Sequence, residues 1–317
     1  MEIINGLENV LKGFKNITLT IGNFDGVHIG HQHIFQDVKH SAHASSSKSM
    51  VVTFDPHPMK ITHPEREIPL LTSFEEKVRL IEATGVDFLL CIKFTQNFAN
   101  TDPHDFVRKV LINKLSARHI IVGRNFRFGK EKQGTPELLA TLGTKYGYAF
   151  DVVESVMQGA EVISSSSIRR LIAEGNVKQA ATFLGRPYAI SGHVIKGMNR
   201  GKRLMNIPTA NLSQPFELTP KEGVYAVMVR LDKQILPAVA NIGLNPTFGS
   251  NSISYEVHIL NYNDELLGKP LTVYFIERLR DEQTFKNINA LKEQILKDIS
   301  NATSIFLAEH NRVYVNI

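Results

Sequence analysis

The chain has 317 residues, of which 36 are basic and 31 acidic, and its hydrophobic share of 43% is typical of one or two globular domains with cores of their own. The sequence shows no secretory signal pattern and no apolar run near the ~18 residues of a membrane span, so a cytoplasmic protein without a membrane partner is predicted. A single cysteine, Cys91, excludes an intramolecular disulfide and a cysteine-cluster metal site, and its apolar neighbours predict a small core residue.

The first half of the sequence alternates short β-branched runs with amphipathic stretches. The predicted strands span residues 17–21, 49–54, 87–92, 119–122 and 149–153. The predicted helices span residues 30–40, 74–84, 102–114 and 136–146. This alternation predicts an α/β, Rossmann-like domain in which helices cover both faces of a parallel sheet. Such sheets bind ligands at the carboxyl ends of their strands.

The second part of the sequence has a different pattern of predicted elements, because short strands there are separated by Gly, Pro, Asn and Asp turns. The predicted strands span residues 192–195, 223–231, 236–242, 254–260 and 271–275, and one helix is predicted at 287–300. This density of strands predicts a small antiparallel β-barrel or sandwich with a C-terminal helix. After a helix at 177–184, we expect the domain boundary between residues 185 and 186.

Directly after the first predicted strand comes the segment GNFDGVHIGH, residues 22–31. Gly22 permits a tight turn, and Gly30 lets a ligand approach the backbone between His28 and His31. The free N–H groups and the positive dipole end of the helix that begins here favour a polyphosphate. The segment therefore predicts a nucleotide-binding site.

The two histidines suit the transfer of a nucleotidyl group. The attacking phosphate is already an anion, so the enzyme contributes alignment and stabilises charge as the α-phosphorus becomes five-coordinate. His28 and His31 would do this by donating hydrogen bonds to the phosphoryl oxygens. A pair of surface or metal-binding histidines is the alternative, but the strand, the glycine turn and the spacing together favour the catalytic pair.

A second phosphate-binding element is the segment ISSSSIR, residues 163–169. The hydroxyl groups of Ser165 and Ser166 and the guanidinium group of Arg169, at the start of a helix, can hold a leaving pyrophosphate. A flexible serine loop that caps the helix is the other interpretation, and the segment alone does not separate the two.

These motifs and several others resemble the prokaryotic FAD synthetases, in which an FMN adenylyltransferase module precedes a riboflavin kinase module. The resemblance covers almost the whole first domain and continues through the second. Its segments are GNFDGVHIGH, VVTFDPHP (51–58), FLLCIKFTQNFA (88–99), GRNFRFG (123–129), ISSSSIR and LGRPY (184–188). It implies that ATP and FMN, and riboflavin for the kinase, are the substrates and that Mg²⁺ is the cofactor.

The resemblance also implies a role for each matching residue of the first module. Catalysis would involve His28, His31 and Arg169. The residues implied for ATP and its phosphates are Gly22, Phe24, Asp25, Gly30, Ser165 and Ser166. The residues implied for the flavin are Phe54, Pro56, Pro58, Asn125 and Phe128. Two alternatives stay open, because Asp25 can position phosphate-bound Mg²⁺ or cap the helix, and the prolines can stiffen a turn or shape the flavin pocket.

In the second module, the resemblance rests on Pro208-Thr209-Ala210-Asn211 and on Glu256. A hydroxyl and an amide two residues apart on an extended segment point the same way, so Thr209 and Asn211 can reach one Mg²⁺ ion and the ATP bound to it. Glu256 would remove the proton from the ribityl hydroxyl of the flavin. A cross-strand ion pair is the alternative role for Glu256.

The loop before this segment departs from the family pattern. Lys202 and Asn206 stand where the family usually has glycines, and Thr284 stands where a lysine is usual. Glycine in a phosphate loop supplies positive φ angles and close backbone approach, which other residues supply less easily. Adenylyl transfer is therefore predicted more firmly than riboflavin phosphorylation.

Three other interpretations compete with this one. Other nucleotidylyltransferases with the His-x-Gly-His motif, which act on pantetheine phosphate or nicotinate mononucleotide, usually have one domain, and class I aminoacyl-tRNA synthetases are much longer. A flavin-sensing or RNA-binding regulator on the same scaffold would suit the net charge of +5. The basic residues are nevertheless scattered, with no basic helix or arginine-rich arm, so no nucleic-acid partner is expected. The sequence does not fix the oligomeric state.

Overall fold

The computed structural model of the protein describes residues 1–10, 13–66, 68–196, 208–213, 215, 217–245 and 252–309. These residues form two compact units, which are described separately. The first unit comprises Met1–Ile68 and Ser73–Ile163, and the second comprises Pro69–Thr72 and Ser164–Ile317. Among the residues described, every helix lacks the length and apolar character that crossing a membrane would need.

The first unit is an α/β domain. Its long strands are β1 (Glu2–Asn5), β2 (Ile17–Ile21), β3 (Lys48–Asp55), β4 (Phe88–Lys93), β5 (Ala117–Gly123) and β6 (Ala149–Val153). Its helices are α1 (Ile29–Ala44), α2 (Pro58–Thr62), α3 (Phe74–Ala83), α4 (Gln96–Ala99), α5 (Pro103–Asp105) and α6 (Pro136–Tyr146). A short hairpin, β7 (Met157–Gln158) and β8 (Glu161–Val162), follows the last long strand.

The six long strands form one sheet in the order β1-β4-β3-β2-β5-β6, and every neighbouring pair is parallel. One face of the sheet packs on a core that includes Phe106 and Leu139, and the other packs on a core that includes Phe35 and Ile81. The predicted Rossmann-like parallel sheet with helices on both faces is therefore confirmed. Cys91 lies in the second core, as predicted, and burial raises the pKa of its thiol to about 11.

Two features of this unit differ from the predictions. The helix predicted at 102–114 begins as α5 and continues as a π-helical segment, Phe106–Ile112, in which Asn113 N–H donates to Arg108 O, five residues back. Strand β1 was not predicted, because four residues carry too little pattern, and it forms by pairing with β4.

The second unit is a barrel with helices. It contains α7 (Ser165–Ala173), α8 (Val177–Leu184), β9 (Tyr188–Ile195), β10 (Ala210–Leu212), β11 (Gly223–Leu231), β12 (Gln234–Asn245), β13 (Ser252–Ile259), β14 (Pro270–Arg280) and α9 (Ile288–Glu309). The six strands close a barrel in the order β10-β13-β12-β11-β14-β9, with antiparallel neighbours throughout. The predicted antiparallel barrel with a C-terminal helix is confirmed.

Side chains along the barrel strands alternate between two apolar environments. Tyr225 and Phe275 are fully buried and meet edge to face, with ring centroids 5.1 Å apart, inside the barrel. Val224 and Ala226 lie on the outer face, in a core with Phe306 of α9. A buried ion pair holds the same helix, because the guanidinium group of Arg280 donates to both carboxylate oxygens of Asp298 at 2.8–3.1 Å.

The compact units divide at 163/164, whereas the sequence predicts a boundary at 185/186. Helix α8 packs against β9 and β14, which explains why α7 and α8 belong to the compact unit of the barrel. The boundary between residues 185 and 186 stays a prediction.

Candidate active site

The order of strands in the first unit reverses between β2 and β5. Strands β3 and β4 are added to the sheet on one side of β2, and strands β5 and β6 are added on the other side. In open parallel sheets, ligands bind where the order reverses, outside the carboxyl ends of the two central strands. The predicted phosphate turn follows β2 at this point, and the loop at residues 123–129 follows β5.

The turn after β2 is compact and strained. Gly22 N–H donates to Val52 O at 3.0 Å, and a Cβ at position 22 would lie only 2.8 Å from the ring of Phe24. Phe24 and Val27, both buried, have φ angles of 49° and 41°. Non-glycine residues persist in this region only where the surrounding structure fixes them, and such positions concentrate at functional sites. Asp25 between them is 4% exposed.

The two predicted histidines lie against each other at the start of α1. Their rings stack, with centroids 3.5 Å apart and an angle of 22° between planes, and the ring of His31 meets Phe24 edge to face at 5.2 Å. His28, rather than Asp25, is the N-cap, since its Nδ1 accepts from His31 N–H at 3.3 Å. A Cβ at position 30 would lie 3.2 Å from the imidazole of His28, so the glycine at this position leaves room for the ring.

The surroundings keep His31 uncharged. Burial lowers its pKa well below 6.5, and the charges of His28 and Lys77 lower it further. The Nδ1 atom of His31 is buried and has no hydrogen-bond partner in the part of the chain that the structure describes. For His28, the bond at Nδ1 leaves the proton of a neutral ring on Nε2, which is then a donor. Two imidazoles that can each present an N–H group suit an oxyanion.

Lys77 is a functional candidate that the sequence analysis missed. It lies on α3 and is 8% exposed, close enough to lower the pKa of His31. A signal was present, because Lys77 is three residues after Phe74 and four before Ile81, on the face of α3 that packs into the core.

A chain of six aromatic rings runs from Phe54, near the carboxyl end of β3, into the core of the first unit. Phe54 and Phe128, both predicted to contact the flavin, belong to it. Its neighbouring ring pairs have centroids 5.4–6.0 Å apart and are Phe54–Phe94, Phe54–Phe98, Phe94–Phe98, Phe98–Phe106, Phe106–Phe128 and Phe126–Phe128. The prediction missed four of these rings, although three of them, Phe94, Phe98 and Phe126, lie within segments that carry the family resemblance.

The other residues predicted for the flavin lie at strand ends. Pro56 follows β3 through a cis peptide bond, and Pro58 is the first residue of α2. Asn125 is exposed in the loop after β5. These positions are compatible with both roles that the sequence left open for the prolines, so their roles and that of Asn125 stay predictions.

The serine segment and its arginine lie at the start of α7, in the second unit. Ser164 caps the helix through a capping box with Ser167, which leaves Ser165 and Ser166 in the first turn. The Nε atom of Arg169 donates to Pro69 O at 3.0 Å. The histidines belong to the other unit, so the predicted common pocket of His28, His31 and Arg169 stays a prediction.

In the barrel, strand register brings the predicted kinase residues into one row. Asn211 of β10 and Asn241 of β12 both lie directly opposite Glu256 of β13. The neighbours of Glu256 along the strand, Tyr255 and Val257, are buried, so the row lies on the outer face, and Glu256 is half-buried. The two residues opposite Glu256 in the register, Asn211 and Asn241, both carry amide side chains. The role of Glu256 as a base stays a prediction.

The segment that begins at Pro208 is fixed to the same strand. Pro208 O lies 2.7 Å from Nδ1 of His258, so this nitrogen is the donor. His258 is two residues beyond Glu256 and shares its face. The register places Asn211 opposite Glu256, and Thr209 precedes Asn211 by two residues on the same extended segment. Hydroxyl, amide and carboxylate oxygens are ligands that Mg²⁺ accepts, so this donor set fits the expected ion.

Some predicted features lie outside the described residues. They include Lys202 and Asn206, where the sequence departs from the family pattern, and residues 246–248. In the described ranges, no group of three or more His, Cys, Asp and Glu side chains is placed to hold a metal ion.

Comparison with known families finds two matches along the chain. The family model described as FAD synthetase matches residues 12–167. The family model described as riboflavin kinase matches residues 184–306. The two matches follow one another in the order that the motifs predict.

Similar proteins match along nearly the whole chain. A bifunctional riboflavin kinase/FMN adenylyltransferase of Buchnera aphidicola subsp. Acyrthosiphon pisum is 37% identical, over 94% of this chain and 96% of its own. A protein of the same description from Escherichia coli (strain K12) is 35% identical, over 96% of this chain and 98% of its own. A solved structure described as a macrolide-efflux protein from Streptococcus pneumoniae has a TM-score of 0.87 and 28% identity, covering 96% of this chain and 99% of that one.

Proposed function

Because the chain belongs to the bifunctional riboflavin kinase/FMN adenylyltransferase family, we propose that it makes FAD in two ATP-dependent steps. Riboflavin and ATP give FMN and ADP on the barrel, and FMN and ATP give FAD and pyrophosphate in the module matched at residues 12–167. The observation that carries the second step is the stacked pair His28 and His31 at the carboxyl end of β2.

In adenylyl transfer, a phosphate oxygen of FMN attacks the α-phosphorus of ATP, and the bond from that phosphorus to the bridging oxygen of the leaving pyrophosphate breaks. The N–H groups of His28 and His31 donate to the oxygens on the α-phosphorus, where negative charge increases. A neutral His31 remains a hydrogen-bond donor and loses no proton in the step. Donors that are fixed before the reaction and shielded from water are worth more than donors in water.

Other residues would hold the two substrates of this step. Ser165, Ser166 and Arg169 would bind the β- and γ-phosphates, while Gly22 and Phe24 form the turn beneath the nucleotide. The aromatic chain that includes Phe54, Phe94 and Phe98 offers apolar ring faces to the isoalloxazine of FMN. Pro56, Pro58 and Asn125 would bound that pocket.

On the barrel, Glu256 would accept the proton of the terminal ribityl hydroxyl while its oxygen attacks the γ-phosphorus of ATP. Thr209 and Asn211 would hold Mg²⁺, which neutralises phosphate charge when bound. The register of the row Asn211–Glu256–Asn241 supports this arrangement. The carboxylate of Glu256 can itself accept this proton.

We also propose that the protein works in the cytoplasm on small molecules alone, without a nucleic-acid or membrane partner. The scattered basic residues support this, and so does the buried free thiol of Cys91, which suits a reducing compartment. A regulator that only binds flavin or RNA would leave both ATP-dependent reactions undetectable.

One assay tests both steps. Purified protein receives ATP and Mg²⁺ with riboflavin, and in a second reaction with FMN, and the flavins are separated and quantified. We expect FMN and FAD from riboflavin, and FAD with equimolar pyrophosphate from FMN. His28→Ala should abolish most FAD formation but leave riboflavin phosphorylation intact, and His33→Ala, an exposed histidine on the same helix, is the control. An unimpaired His28→Ala enzyme contradicts the assignment of the first site.

A further inference from the structure

A buried lysine lies beneath the phosphate turn, and no motif accounts for it. Lys77 is 8% exposed, on the face of α3 that also carries the fully buried Ile81. Burying an ammonium group costs free energy unless polar partners replace water. An apolar side chain would pack better in this place, so packing alone does not explain the lysine.

The contacts of Lys77 join the phosphate turn to the neighbouring strand. Its Nζ atom lies 3.4 Å from each of three acceptors, which are Asn23 O in the turn and Thr53 Oγ1 and Phe54 O in β3. An ammonium group has three N–H donors, so this set can use all of them. Thr53 Oγ1 also donates to Asn23 O at 3.3 Å, which closes the network. Asn23 directly precedes Phe24, where the strained part of the turn begins.

The charge of Lys77 also acts on the site. Burial lowers the pKa of Lys77, while the neighbouring Cys91, Asp25 and Asp55 raise it. The ammonium group in turn lowers the pKa of His31, after burial and His28. One side chain thus influences both the shape of the turn and the protonation of the imidazole that follows it.

We propose that Lys77 is a positioning residue for adenylyl transfer, which holds the strained turn of residues 22–27 against β3 so that His28 and His31 meet the α-phosphate of ATP. This inference rests on the proposed function of the same site. Lys77 touches neither substrate in this account, and it acts through Asn23 and through its charge. Positioning within the turn matters because small displacements of catalytic groups cost large factors in rate.

The test compares Lys77→Met, which keeps the length of the side chain but removes its charge and donors, with Arg79→Met, which removes an exposed cation from the same helix. For Lys77→Met, we expect kcat for FAD formation from FMN to fall by roughly 10- to 100-fold, with a smaller change in KM. Riboflavin phosphorylation by the same preparation should stay within about twofold of the wild type and serves as the folding control. Arg79→Met should leave both rates unchanged.

A pH profile separates positioning from general support of the fold. The charged and titratable groups that act on His31 are His28, at the N-cap of α1, and Lys77 on α3. Those that act on Lys77 are Asp25 in the turn, Asp55 at the end of β3 and Cys91 on β4. Without the charge of Lys77, His31 binds a proton more readily, so the acid limb of kcat/KM should move to higher pH. Lys77→Arg, which keeps the charge, should return the limb toward its wild-type position.

Three results decide the matter. FAD formation by Lys77→Met within twofold of wild type overturns the inference, as does a loss of rate with an unmoved acid limb. Should Lys77→Met not fold, Thr53→Val removes one acceptor and leaves the charge, and an unchanged kcat there overturns the inference too. If the wild-type protein makes no FAD from FMN and ATP, the proposed function itself has failed, which is a separate outcome.

Discussion

The two candidate sites are built in opposite ways. In the first unit, His28 and His31 are packed against each other under a strained turn, and burial fixes the charge of His31. On the barrel, Asn211, Glu256 and Asn241 form a row on an outer strand face, and the side chain of Glu256 is half-buried. Where the fold encloses a group, packing sets its protonation. On the strand face of the barrel, register places Glu256 opposite two asparagines, and its chemistry depends on the bound ion and substrate.

This contrast predicts the largest effect for Glu256→Gln. Removing a general base typically costs 10²- to 10⁴-fold, so riboflavin phosphorylation should fall by about that range. FAD formation from supplied FMN should not change, because the other site carries it. The measurement is the initial rate of each reaction, and Glu265→Gln, an exposed glutamate after β13, is the matched control. Equal losses in both reactions would break the contrast between the sites.

The barrel depends on one enclosed charge of its own. Asp298, 3% exposed, pairs with Arg280, and removing one partner of a buried pair leaves the other charge uncompensated. We expect Asp298→Ala to lower the free energy of unfolding of the barrel by about 3–5 kcal/mol. Thermal unfolding of the full chain measures this, with Asp264→Ala at an exposed position as control. A melting curve like that of the wild type would show that α9 is held by apolar contacts alone.

His31→Ala should mirror the glutamate variant. Loss of one fixed donor to a developing oxyanion costs roughly 10²- to 10³-fold, so FAD formation from FMN should fall by that factor. Riboflavin phosphorylation should be unaffected, and His33→Ala should match the wild type in both reactions. A fall in the kinase rate of the same size would mean that His31 supports the fold rather than the transfer.

The smallest expected effect is the pH dependence of stability. The pKa of His31 is lowered in the folded state, so below its ordinary value of 6.5 the unfolded chain binds a proton that the folded chain does not. The free energy of unfolding should therefore fall as pH drops below 6.5, by at most about 1.4 kcal/mol per pH unit from this group, with no effect above it. Urea unfolding of wild type and His31→Phe at pH 7.5, 6.5 and 5.5 checks this. Identical pH dependence in the two proteins would contradict a buried neutral His31.

Local signals explain which elements the sequence predicts well. Helix α6 and strand β6 have the predicted bounds, because Thr135 caps the helix and Gly147 ends it in a left-handed conformation. The sequence predicts only an extended segment at the position of β10, since its three residues form a strand through their partners β9 and β13. Tertiary pairing of this kind leaves no periodic trace in a short segment.

The same distinction applies to the candidate sites. His28 and His31 are three residues apart on one motif, so their stacked arrangement follows from local sequence. Lys77 is 54 residues from Asn23, its contact in the turn, and only the folded sheet brings the two together. The register of Asn211, Glu256 and Asn241 likewise depends on how the barrel strands pair, which the sequence alone does not specify.

The most direct test of the central claim is a crystal structure of the full chain with Mg²⁺ and a non-hydrolysable ATP analogue. The distances to measure join the ring nitrogens of His28 and His31 to the α-phosphate oxygens. We expect a ring nitrogen of each histidine within about 3.2 Å of such an oxygen, the range of a hydrogen bond. An analogue whose phosphates lie away from both imidazoles, with the rings still stacked and enclosed, would contradict the account.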